Sequence, residues 1–284
     1  MVFLIFLHVY LIASLINNKG KNSVPMPREK SPPRTRPLAD LFSDFSLDES
    51  DSMVNQIHQI LWDLITTTRL LPGQLLSEKE LSELMNASRT PVREALIRLE
   101  GAGLVDVVPK SGTYVTPVRI STYIEACFIR LQLERGSARR AAERSGDYRI
   151  HDDLNATIEL QAEALKENDY SRFFQLDEHL HESIFRIAGL EGVWKVLRRT
   201  QSEVYRIRHL KREYQLRHGS KVLAAHRRIV DSISAADPDA AEAAMIEHLG
   251  PLEREVEQLT AFPELLKFIE QQNVEMPRPR RRAR

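Results

Sequence analysis

The sequence predicts a mainly α protein in two parts: an N-terminal unit of three helices closed by a β-hairpin, then an all-α helical bundle. Three observations carry this. Short helical periods between Ser50 and Val118 give way to two β-rich runs. Beyond Ile120 the strand signals vanish, and apolar residues recur at spacings of three and four. With 284 residues, the chain has room for two modest domains rather than one.

The first helix starts at Met53, where Val54, Ile57, Ile60, Leu61, Leu64 and Ile65 line one face. Leu71-Pro72-Gly73 ends the segment. Ser77 and Glu80 form a capping box that opens a second helix, Glu78 to Met85. Asn86-Ala87-Ser88 makes a tight connection. Thr90 is the expected N-cap of a third helix, with Pro91 at its first position, where a missing N–H costs nothing. That helix points Val92, Ala95, Leu96 and Leu99 inward and stops at Gly101 and Gly103. Leu104–Val108 and Thr113–Pro117 pair around Pro109-Lys110-Ser111-Gly112. Further helices are expected near 120–145, 151–168, 170–189, 191–217, 221–236 and 238–258, with a short one near 263–272. The expected division is 1–49, an extension without packed structure; 50–118; 119–260; and 261–284, a short helix and basic tail.

Helix, helix–turn–helix and hairpin is the order of a winged helix-turn-helix. Such a unit lays the N-terminal residues of its third helix against base edges in the major groove of double-stranded DNA. Those residues are Ser88, Arg89, Thr90 and Arg93. Arg grips guanine bidentately, and Ser or Thr holds phosphate or base. Lys79 opens the preceding helix, and Lys110-Ser111-Gly112 forms the wing tip, where Gly allows close backbone approach. Charge gives no help. Lys+Arg equals Asp+Glu at 40 each, and residues 50–118 hold six basic and eight acidic side chains, a net of −2. Contact with a polyanion must therefore come from a local cluster.

The single Cys127 excludes an intramolecular disulfide and fits a reducing, cytoplasmic setting, as a small buried hydrophobe. Val2 to Ile16 is almost wholly apolar, but shorter than the roughly 18 residues a membrane-spanning helix needs, and no Lys or Arg precedes it. It is read as lying outside the folded protein, with Met26 or Met53 as alternative starts; a membrane anchor is the rival reading. Residues 19–37 and 276–284, rich in Pro and basic residues, are read as disordered.

The stretch from Leu71 through Ser88-Arg89-Thr90-Pro91-Val92-Arg93-Glu94-Ala95-Leu96 to Gly103 closely resembles the GntR family of bacterial regulators, over residues 54–117. The resemblance implies DNA contacts by Arg89, Thr90 and Arg93, a wing at Gly112, and a homodimer on a pseudo-palindromic operator. Many relatives carry Arg in place of Lys79; Lys keeps the charge but loses the planar fork. The helical half resembles the FCD effector-binding domain of the FadR branch, over roughly 120–258. The matching motifs are Arg130-Leu131-Gln132-Leu133-Glu134, Asp177 with Leu180-His181, Ala225-His226-Arg227-Arg228-Ile229 and Glu247-His248-Leu249. It implies a divalent metal ion held by Asp177, His181, His226 and His248.

The spacing supports the same four residues. Asp177 and His181 are i and i+4 and share a helix face. His226 lies ten residues before Ala236 and His248 nine after Asp239, so antiparallel helices joined by this turn bring both rings to one height, about 15 Å from it. His179 faces elsewhere. One Asp and three His suit Zn²⁺, Ni²⁺ or Mn²⁺, with positions left open for a ligand. A small carboxylate effector would use those positions and a nearby cation: Arg130 first, Arg206 and Arg208 less strongly. The implied function is a DNA-binding regulator, of repressor type, controlled by that effector. The alternatives are a metalloenzyme using the same cluster, a dimerisation module stapled by the metal, or a membrane-anchored sensor. No His-Glu-x-x-His is present and Glu182 faces away from His181, so no general base can be named and no enzyme is expected.

Overall fold

The computed structural model describes residues 37–42, 45, 47–48, 51–144, 148–213 and 219–274. The apolar run 2–16, the Pro-rich stretch up to residue 36 and the basic tail 276–284 lie outside them. The chain divides into two compact units: residues 1–123 with Ser202–Lys211 and 259–284, and Ile124–Gln201 with Arg212–Gln258.

In the first unit, α1 (Leu38–Phe42) precedes α2 (Met53–Thr66), β1 (Leu75–Leu76), α3 (Glu78–Leu84), α4 (Arg89–Gly101), β2 (Val105–Val108) and β3 (Gly112–Val115). Ser52 caps α2 by accepting from the Asn55 amide, and Ser77 caps α3 by accepting from that of Glu80. Ile57, Leu61, Leu64 and Ile65 of α2 meet Val92, Ala95, Leu96 and Leu99 of α4 in one core with Leu104, Val105 and Val115. The strands form an antiparallel sheet in the order β1-β3-β2, with Val105 opposite Val115 and Val108 opposite Gly112.

Three expectations need correction here. Residues 1–49 were expected to hold no packed element, yet Leu38, Leu41 and Phe42 of α1 are buried in this core. The helix is a single turn, too short to show a period. The N-cap of α4 is Ser88 rather than Thr90, which places Pro91 third in the helix. Pro is tolerated there because the first four helical N–H groups lack intrahelical partners anyway. The sheet gains β1, whose two residues cannot display an alternation. Gly112, opposite Val108, has φ +139°, a backbone conformation that L side chains rarely adopt and glycine takes without strain.

The helical segments that follow are α5 (Ile120–Glu143), α6 (Tyr148–Lys166), α7 (Tyr170–Ala188), α8 (Glu191–Arg198), α9 (Ser202–Glu213), α10 (Gly219–Ser234), α11 (Pro238–Leu249), α12 (Leu252–Thr260) and α13 (Pro263–Val274). The helix expected over 191–217 is broken at Thr200, whose hydroxyl donates to the Leu197 carbonyl. The one expected over 238–258 is broken at Gly250, φ +79°, followed by Pro251. Residues Ser202–Lys211 of α9 belong to the first unit, as does α13. There the Asn273 side chain accepts from the Val118 amide and donates to its carbonyl.

The core of the second unit joins Ala138, Ala141 and Ala142 of α5, Leu154 and Ile158 of α6, Leu180, Ile184 and Ala188 of α7, Ile229, Val230 and Ile233 of α10, and Ala241 and Met245 of α11. Asp169 caps the start of α7, and Gly189, φ +70°, ends it. Arg140 and Arg144 donate to the terminal Ala188 carbonyl. Among the described residues no helix is long and apolar enough to cross a membrane.

Candidate metal centre and nucleic-acid face

The four polar residues of interest extend the apolar stripes of the second unit by one turn. His181 follows Leu180 on α7, with Asp177 one turn earlier. His226 precedes Ile229 and Val230 on α10, and His248 follows Met245 on α11. Asp237 caps α11 by accepting from the Ala240 amide, with Pro238 in its first turn, so α10 and α11 turn back on each other as expected. One donor atom from each of Asp177, His181, His226 and His248 falls within 4.8 Å of all the others. His226 Nε2 lies 3.3 Å from His248 Nε2 and 3.3 Å from Asp177 Oδ1. Asp177, His181 and His226 are buried, and His248 is the least covered. His179 is exposed.

Two further side chains orient the rings. Gln161 of α6 places Oε1 2.9 Å from His226 Nδ1. That oxygen can only accept, so Nδ1 is the donor in this pair and Nε2 is the ring atom turned toward Asp177 and His248. On α5, Glu134 Oε2 contacts His181 Nδ1, while its Oε1 receives the Arg130 Nε–H. Burial pushes the Glu134 carboxyl up, but the Arg130 guanidinium and the His181 ring outweigh it and hold it at about 2. Glu134 thus sets a carboxylate oxygen against the outer nitrogen of the His181 ring. Burial, then the neighbouring His226 and His181 rings, lower His248 well below the ordinary histidine range, against the pull of Asp177. His248 is therefore neutral at pH 7. Nitrogen atoms of three imidazole rings and a carboxylate oxygen converge, with Gln161 and Glu134 in contact with the outer ring nitrogens. This donor set fits a divalent cation.

Of the three cations expected beside the cluster, Arg130 is present, with Nη2 3.1 Å from His181 Nε2. Arg206 is elsewhere. It is fully buried in the first unit, donating Nη2 to the Thr116 carbonyl at 2.9 Å and Nη1 to the Pro117 carbonyl at 3.3 Å, with Glu203 at 3.6 Å. Burial lowers its pKa against the opposing charge of Glu203, and burial raises that of Glu203 itself. Arg208 is also buried on the first-unit portion of α9 and takes no place in the Asp/His cluster. Helical spacing alone did not separate these arginines from an effector site, because polar burial on α9 depends on which residues surround it. Glu134 and Gln161 were missed as positioning residues. The available signal for Glu134 was its i,i+4 spacing from Arg130; for Gln161 it was an amide among apolar α6 positions.

On the first unit, Ser88, Arg89, Thr90 and Arg93 are all exposed at the start of α4, and the Ser88 hydroxyl makes no cap bond. Lys79 is exposed, 3.8 Å from Glu83. Lys110, φ +64°, and Ser111 are exposed at the wing tip, where the Ser111 and Tyr114 hydroxyls are 2.7 Å apart. These side chains occupy the first turn of α4, the start of α3 and the wing.

Residues 53–115 match the model of the gntR family of bacterial regulatory proteins, and residues 125–250 that of the FCD domain. The chain is 31% identical over 213 residues to the HTH-type transcriptional repressor RspR of Escherichia coli K12, covering 75% of this chain and 92% of that protein. It is 35% identical over 210 residues to an HTH-type transcriptional regulator of Streptomyces ambofaciens, covering 74% of this chain and 87% of the relative. In fold it resembles E. coli McbR/YncC (TM-score 0.61, 19% identity, 78% of this chain and 99% of that one). A GntR regulator of Rhodococcus sp. RHA1 is similar to the same degree (TM-score 0.60, 22% identity, 74% and 99%). A gntR-family DNA-binding match followed by an FCD match, with curated relatives that are HTH-type transcriptional regulators, establishes a transcription regulator rather than an enzyme: the chain belongs to the GntR family.

Proposed function

We propose that this regulator is a cytoplasmic repressor that binds operator DNA as a homodimer, and that a small carboxylate bound at a divalent ion in the second unit controls its operator affinity. The convergence of Asp177, His181, His226 and His248 within 4.8 Å in a largely buried setting carries the reading. Zn²⁺, Ni²⁺ and Mn²⁺ all suit three imidazoles and one carboxylate, a set that leaves coordination positions for a carboxylate oxygen. Arg130 supplies the fixed positive charge beside it. Ser88, Arg89, Thr90 and Arg93 on α4, with Lys79 and the wing residues Lys110, Ser111 and Gly112, form the operator-reading surface. The repressor sense is supported by the names of relatives: RspR, and a probable D-xylose utilization operon repressor of Paenarthrobacter nicotinovorans, 28% identical over 200 residues.

The test is a thermal-shift screen of small carboxylates on the full chain, metal-loaded and after chelation. Ligand binding to the folded state raises the melting temperature by mass action. The expected result is a set of carboxylates that stabilise only the metal-loaded protein and change its affinity for DNA selected from a random duplex pool. Metal-free protein that binds the same carboxylate at full strength would end the metal reading.

A further inference from the structure

Helix α4 carries two carboxylates, Glu94 and Glu100. Glu100 accepts from the Val107 amide at 3.4 Å. Glu94 is exposed, and among the described residues it has no hydrogen bond or ion pair. Arg98 stands at i+4, the spacing of a helical ion pair, but donates instead to Asn55 Oδ1 of α2 at 2.8 Å. Glu94 is also the sixth residue of α4, beyond the first turn where the helix dipole stabilises an acidic side chain. Neither a pair nor a cap accounts for it. Its neighbours are the residues of the operator face. Thr90 precedes it by four and Arg93 by one. All three are exposed on the side of α4 turned away from the buried Val92, Ala95, Leu96 and Leu99.

A carboxylate on a surface that meets DNA is repelled by the phosphates. That repulsion is offset where the side chain meets a hydrogen-bond donor, since an ionised carboxylate only accepts. In the major groove the donors are the N4 amino group of cytosine and the N6 amino group of adenine. The adenine donor is flanked by acceptors on both sides, its own N7 and the paired thymine O4. The cytosine donor has an acceptor on one side only, guanine O6. We propose that Glu94 is a specificity-determining residue of the operator face, accepting a hydrogen bond from the N4 amino group of a cytosine in each half-site. The inference rests on the operator surface proposed above and adds to it a residue and the base it selects. Glu94 acts chiefly against wrong sequences. Opposite a guanine or thymine edge its oxygens meet only acceptors, and binding weakens.

Selection from a random duplex pool tests this on the full chain, with wild type beside Glu94→Gln, Glu94→Ala and Arg93→Ala. The wild type should enrich a cytosine at one half-site position. Changing that C·G pair to T·A should weaken its binding roughly 5- to 150-fold, the range for one mismatched base pair. Glu94→Gln should enrich adenine there, because an amide pairs bidentately with N6 and N7. Glu94→Ala should accept any base there and bind an unselected duplex more tightly than the wild type, having lost a negative charge. No enriched cytosine in the wild type, or the same base preferences in the wild type and both Glu94 variants, overturns the proposal. So does a loss of affinity in Glu94→Ala that is equal on all duplexes, the mark of a residue that only supports the fold. If Arg93→Ala alters the selected sequence and the Glu94 variants do not, the cytosine reading alone falls. If none of the three alters it, the operator surface on α4 falls as well.

Discussion

At the scale of single residues, the second unit shows how a helix period becomes a chemical site. Asp177 and His181 lie on one face of α7 because they are four apart, and Glu134 and Gln161 contact the outer nitrogens of the His181 and His226 rings. Replacing His226 with Ala should lower divalent-metal affinity by more than about 100-fold, above the 10–100-fold that loss of an outer partner costs. Calorimetry measures it, and the carboxylate-dependent thermal shift should vanish with it. Were the ion only a structural staple, the variant would lose stability without any effect specific to the ligand. On the other unit, Arg93 is exposed on the first turns of α4 and makes no core contact. Arg93→Ala should therefore weaken operator binding by about 1–3 kcal/mol if the side chain reads a base, with the melting temperature unchanged. An unaltered affinity on a selected duplex removes Arg93 from the reading surface.

At the scale of elements, α9 is the part of the chain whose place could not be read from its own pattern. Its segment Ser202–Lys211 groups with the first unit, although it lies within the match to the FCD domain. Glu203, Arg206, Arg208 and Lys211 are all buried there. Arg206 fastens the helix to the residues that follow the wing, Thr116 and Pro117, and Lys211 donates to the Tyr123 hydroxyl at 3.1 Å. Trp62 of α2 packs edge-on against Tyr205, with centroids 5.9 Å apart. Arg206→Ala would strip the Thr116 and Pro117 carbonyls of their Arg206 donor and leave the buried Glu203 with Arg119 as its remaining cation. The expected loss of stability is about 3–5 kcal/mol, the usual range for breaking a buried pair from one side. Denaturant midpoints at constant m-value measure it. Zn²⁺ binding to the folded variant should remain, since Arg206 takes no part in the cluster. A change below about 1 kcal/mol would show that the contacts to Thr116 and Pro117 are not maintained in solution.

At the scale of the whole molecule, the operator surface proposed for one winged unit is short: the first turn of α4, Lys79 and a wing tip. Its segment 50–118 has a net charge of −2, which disfavours tight non-specific binding. Two copies related by a two-fold axis double the base contacts. The expected operator is therefore a pseudo-palindrome, its half-sites about one helical turn (~34 Å) or a multiple apart. Light scattering should give twice the chain mass without DNA, and that mass plus one duplex with it. A strict monomer in both conditions contradicts the arrangement.

What the sequence determined by itself is whatever depends on local period and punctuation. The three helices before the hairpin, the inward face of α4, the Ser77 cap and the wing are all set by residues within a few positions of one another. So is the pairing of Asp177 with His181. The common height of His226 and His248 also followed from sequence, because a single capped turn at Asp237 joins their helices. The Gly250-Pro251 break was present as a turn signal and passed over. Tertiary structure alone decided the rest. Local pattern ranked Arg130 above Arg206 yet set both beside the cluster; that Arg130 meets His181 while Arg206 meets Thr116 and Pro117 comes from what the fold brings alongside. The same holds for α1 and β1, too short to carry a period yet fixed by the core of the first unit. It holds equally for Gln161 and Glu134, which lie on α6 and α5 and become part of the site only once α6 packs on α10 and α5 on α7.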